Sequence, residues 1–113
     1  MRERGCRMTA AREQIFAYIK ENLEIDDTEV VNELITEYCL TVKESLGKIL
    51  TSLEESDGEG LYRAAHSLKG CSGNVGHQAI HELCLKLETA ARDKDFAVAA
   101  EIHAQLQQII AEM

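Results

Sequence analysis

His66 and Lys69 stand three residues apart in the stretch Ala64-Ala65-His66-Ser67-Leu68-Lys69-Gly70-Cys71-Ser72-Gly73-Asn74-Val75-Gly76. A neutral imidazole is a competent nucleophile near pH 7, and the bond it forms to an incoming group stays labile enough to pass that group on. A lysine on the same face supplies positive charge to an anionic group in transit. Group transfer, rather than storage, is the chemistry such a pair could do; from the residues alone an ordinary solvated surface lysine beside an exposed histidine is the plainer reading.

That chemistry needs the two side chains on one exposed face. If the stretch is helical, at about 100° per residue, Leu61, Ala64, Ala65, Leu68, Cys71, Ser72 and Val75 gather into an apolar stripe. His66 falls opposite it, with Tyr62, Arg63, Lys69, Gly70 and Gly73 beside it on the outward side. Glycine within a helix costs roughly 1 kcal/mol relative to alanine, so Gly70 and Gly73 call for a reason. Close approach of a partner to the imidazole is one; fraying of the helix end before a Gly73-Asn74 turn is the plainer one.

Ala65-His66-Ser67-Leu68-Lys69-Gly70, followed by Gly73-Asn74-Val75-Gly76, resembles the signature of histidine-containing phosphotransfer (HPt) domains. Leu83-Cys84 and Leu87-Glu88 are similar to a run on that family's next helix, and the resemblance extends from about Asp26 to Met113. It implies that His66 is phosphorylated, with Lys69 supplying phosphoryl electrostatics and Arg63 a lesser contribution. Tyr62, Arg63, Gly70 and Gly73 would then lie at the partner contact. The implied partner is a response-regulator receiver domain, whose aspartate exchanges the phosphate and which brings its own Mg²⁺; a sensor histidine kinase is the second. The family points to Nε2 as the phosphorylated imidazole nitrogen.

Other chemistries are weaker. His77, His81 and Cys84 have helical spacing that brings three potential metal ligands near one face, yet a fourth ligand and carboxylate support are missing, so no metal and no resident cofactor is expected. His77 reads as a boundary residue beside a turn and His103 as partly buried. No Walker-type or Gly-rich nucleotide loop occurs, which argues against autokinase activity. No Ser-His-Asp or Cys-His motif appears either.

With 113 residues, no proline, 45% hydrophobic and 4% aromatic residues, the composition suits one helical domain with an aliphatic core. A formal charge of -8 argues against nucleic-acid binding. No apolar run approaches the roughly 18 to 20 residues of a membrane span, and no secretory leader is visible, so a cytoplasmic, monomeric, free-standing module is expected. Cys39, Cys71 and Cys84 lie on or beside apolar stripes and read as reduced core residues.

The expected fold is all-α: an antiparallel up-down four-helix bundle over 26–113, led by an additional short helix over 9–23, with a disordered basic segment over 1–8. In the leading helix Thr9 is a cap and Ala11, Ile15, Ile19 and Leu23 recur every four residues. Asp26 or Asp27 caps the longest helix, which runs to about Glu54 with Val31, Leu34, Ile35, Tyr38, Val42, Leu46, Ile49 and Leu53 inward. Ser56 or Asp57 caps the His66 helix, Ser56 with Glu59 as a capping box, and that helix ends near Ser72. A fourth helix spans His77 to Arg92, and the last places Phe96, Ala99, Ile102, Leu106, Ile109 and Met113 inward. Lys94 stands where the family often has glycine, which makes a tight left-handed turn there uncomfortable. Leu40 and Leu85 lie off their stripes and are expected under the leading helix, with apolar contact to a partner as the alternative. The rival function is a helical adaptor that binds a receiver or kinase without accepting phosphate.

Overall fold

The computed structural model of the chain describes residues 10–23 and 27–113. The segment 1–8, Thr9, Asp26 and Cys6 lie outside the described residues. Within them the chain forms five helices: α1 (Ala10–Asn22), α2 (Thr28–Glu54), α3 (Gly58–Asn74), α4 (Gln78–Arg92) and α5 (Phe96–Ala111), with no strand among the described residues.

The helices α2, α3 and α5 each begin where an aspartate side chain meets free backbone N–H groups, whereas α4 follows His77 with no side-chain cap. The Asp27 carboxylate accepts from the Glu29 N–H at 2.9 Å, Asp57 from Gly60 at 3.0 Å, and Asp95 from Val98 at 3.2 Å. Asp57, not Ser56, caps α3; Ser56 instead takes φ 53 to turn the chain, so the expected Ser56–Glu59 capping box does not form. Lys94 likewise adopts φ 56 between α4 and α5. A lysine thus occupies the left-handed position that glycine would hold more easily.

The helix α3 runs to Asn74, two residues beyond the expected end, and the chain reverses at Gly76 with φ 72 rather than at Gly73-Asn74. Gly76 is constrained twice, because a Cβ there would also overlap the Tyr18 ring of α1. Gly70 is therefore an interior residue of α3, and Gly73 lies in its last turn, one residue before the end.

Burial follows the helical period. Val31, Ile35, Tyr38, Val42 and Ile49 of α2 meet Leu61, Ala65 and Leu68 of α3, Ile80, Cys84, Leu87 and Ala91 of α4, and Ala99, Ile102 and Leu106 of α5 in one core. The helix α2 packs on α3, α3 on α4, α4 on α5, and α5 back on α2, so the four close a ring. Ile15 and Ile19 are fully buried where α1 lies on α2, whereas Leu23, just past the helix end, is 49% exposed. Leu40 and Leu85 are also exposed, not covered by α1 as expected, because α1 crosses α2 on the Ile15–Ile19 face.

His77 is a buried residue rather than a boundary one: it precedes α4, and its Nδ1 shares a hydrogen bond of 2.9 Å with the Tyr38 hydroxyl. Burial lowers the His77 pKa and, with nearby Cys71, Cys84 and Cys39, raises that of Tyr38. Cys39, Cys71 and Cys84 are free thiols, Cys84 fully buried. No described helix is long and apolar enough to cross a membrane.

Candidate functional site

The middle of α3 carries His66 outward, its side chain 62% exposed, because Leu61, Ala64, Ala65 and Leu68 commit the opposite face to the core. One ring nitrogen is occupied. Nδ1 lies 2.8 Å from Oε2 of Glu88, a largely buried carboxylate on α4. The other carboxylate oxygen, Oε1, accepts from Lys69 Nζ at 3.1 Å. Glu88 thus bridges the two α3 residues that the sequence singles out, and it was absent from the expected site.

Its electrostatics are those of an ionised acceptor. Burial alone would raise the Glu88 pKa, but hydrogen bonds from His66 and Lys69 and the adjacent positive charge outweigh it and hold the carboxyl below the usual range. An ionised carboxylate can only accept, so the proton of this bond sits on Nδ1. In the neutral ring the lone pair is then on Nε2.

Tyr62, one turn before His66, stacks on the imidazole with centroids 5.9 Å apart and planes within 10°. Arg92, at the end of α4, places its guanidinium 5.2 Å from the Tyr62 ring centre and donates to the Tyr62 hydroxyl at 3.2 Å. Arg63 points elsewhere, toward Glu59 of its own helix at 3.4 Å, both side chains well exposed.

The two helix glycines differ. A Cβ on Gly70 would meet nothing within 4 Å, so this position beside His66 is open space. A Cβ on Gly73 would come 3.3 Å from Nδ1 of His81, whose N–H donates to the Lys69 carbonyl at 3.1 Å. Gly73 therefore lets α4 approach α3 closely. His77 and His81 spend their Nδ1 atoms on different partners, and among the described residues no group of three or more His, Cys, Asp or Glu forms a metal-binding cluster. Cys84, one turn before Glu88, has its thiol pushed up to about 12 by burial and then by the neighbouring carboxylate.

A helix surface with one imidazole nitrogen tied to a carboxylate and the other free invites comparison with known proteins. The family model described as "Hpt domain" matches residues 33–113. The chain belongs to the Hpt domain family. The match begins inside α2, takes in α3, α4 and α5 whole, and leaves α1 outside. The chain is also similar to the phosphorelay intermediate protein rdeA of Dictyostelium discoideum, with 26% identity over 87 residues, covering 77% of this chain. The chain spans about a third (34%) of the length of that relative. No solved structure matches.

Proposed function

We propose that this Hpt chain is a phosphorelay intermediate and that His66 carries the phosphoryl group. The observation that supports the reading is the split use of the imidazole: Nδ1–H is held by Glu88 while the ring projects 62% exposed. In the step proposed, the Nε2 lone pair attacks the phosphorus of a receiver aspartyl phosphate. The N–P bond forms as the P–O bond to aspartate breaks, and the aspartate carboxylate leaves with the electron pair. The ring keeps its Nδ1 proton and becomes positive, and Glu88 offsets that charge. Return of the group to another receiver aspartate reverses each change.

Lys69, its side chain 22% exposed and its Nζ on Glu88, supplies the positive charge for the transferring oxygens in this reading. Gly70 leaves room for the incoming domain. Arg63 needs only a side-chain rotation to leave Glu59. Mg²⁺ belongs to the receiver, and the chain acts without autokinase activity. The ring of contacts among α2, α3, α4 and α5, joined by short turns, supports an antiparallel up-down bundle with α1 as an added helix, in one domain over residues 9–113. We place this domain, as a monomer, with receiver domains in the cytoplasm.

The test is transfer of labelled phosphate from phosphorylated receiver domains to wild type and His66→Gln. Acid-labile, base-stable label on wild type alone is the expected result. No label on either protein, with at least one receiver shown to bind, would replace the relay by a non-transferring adaptor.

A further inference from the structure

The hydrogen bond from Nδ1 to Glu88, with the Cβ–Cγ bond, restrains one edge of the His66 ring, and the angular tolerance of a single hydrogen bond still lets the ring tilt. In-line displacement is stricter than this. The Nε2 lone pair lies in the ring plane, so the plane must contain the line to phosphorus opposite the breaking P–O bond. Something must set the plane of a side chain this exposed.

We propose that Tyr62 and Arg92 form a clamp that sets the plane of the His66 ring, making Tyr62 a positioning residue for the transfer. The inference rests on the phosphotransfer reading of His66. Tyr62 stacks on the imidazole, the planes 10° apart and the centroids 5.9 Å, while the His66 side chain as a whole stays 62% exposed to a partner. An offset parallel stack at this separation is favourable, so tilting the imidazole loses contact. Tyr62 needs an anchor of its own, because it is only half-buried and borders an open groove lined by Gly58, Glu59, Ala91, Arg92 and Lys94. Arg92 supplies that anchor twice, with its guanidinium over the ring and a hydrogen bond to the hydroxyl. The α3 histidine is thus aligned from α4 at two places, by Glu88 at its edge and by Arg92 through Tyr62.

Wild type, Tyr62→Ala, Tyr62→Phe and Arg92→Gln decide the matter by two readouts. The first is nuclear magnetic resonance of the unphosphorylated proteins. The His66 ring protons should show an upfield ring-current shift that persists in Tyr62→Phe and disappears in Tyr62→Ala. The same shift in wild type, Tyr62→Phe and Tyr62→Ala overturns the clamp, whatever a receiver assay gives. The second is the transfer rate from a phosphorylated receiver as its concentration is varied. Tyr62→Ala should lower the maximal rate about tenfold with little change in half-saturation, Arg92→Gln should lower it less, and Tyr62→Phe should stay within about threefold of wild type. An unchanged maximal rate, or a loss confined to half-saturation, makes Tyr62 a mere contact residue and overturns the positioning role. An intact ring-current shift with no label on wild-type His66 overturns the phosphotransfer reading instead, and the positioning role with it.

Discussion

At the scale of single residues, the site turns on a carboxylate placed where a helix would ordinarily bury an apolar group. Glu88 follows Cys84 by one turn on the inward side of α4, and its charge is sustained by His66 and Lys69. Glu88→Gln keeps an acceptor for Nδ1 but removes the negative charge that offsets the phosphorylated ring, so transfer should slow by about tenfold or more. Single-turnover transfer from a phosphorylated receiver measures this. The same residue sets an acid limb of stability. Its folded pKa is lowered, so its contribution is complete above the ordinary carboxylate value of about 4.3 and is lost as pH falls through the folded value. Denaturant unfolding at successive pH values should show that limb in wild type and a flatter one in Glu88→Gln. Cys84, buried and pushed up to about 12, should resist iodoacetamide at pH 8 in the folded protein and react once it unfolds.

At the scale of elements, the sequence pattern placed the helices well, because apolar residues recur with one period through each. The ends were less legible. Gly73-Asn74 looked like a stop by composition, yet α3 continues because Gly73 fits against His81, and the reversal waits for Gly76 under Tyr18. Neither fact is local to α3. Glu88 was missed for the same reason: a wheel shows a charge near the stripe but not the residues of α3 that meet it. His77 was misread because its partner, Tyr38, lies 39 positions away. The glycines now make separable predictions. Gly70→Ala should raise stability by about 1 kcal/mol, since the new methyl meets nothing within 4 Å. Gly73→Ala should gain less, with the His81 ring 3.3 Å away, and Gly76→Ala should destabilise through its positive φ. Thermal melts of the three order them.

At the scale of the molecule, the four helices α2 to α5 present the site and α1 supports α2 from outside the Hpt match. Ile19→Ala should therefore cost about 2–4 kcal/mol in denaturant unfolding while transfer to His66 survives under native conditions. The histidine, its lysine, the neighbouring Tyr62 and the helical scaffold were visible in 113 residues of sequence; the carboxylate bridge and the Arg92 contacts to Tyr62 needed α3 and α4 in register. The central claim is that one ring nitrogen is held so that the other can react. Long-range proton–nitrogen correlation of the phosphorylated protein tests it directly. Phosphate on Nε2 of His66, with Nδ1 protonated, is the predicted result; phosphate on Nδ1, or on any other residue, would contradict it.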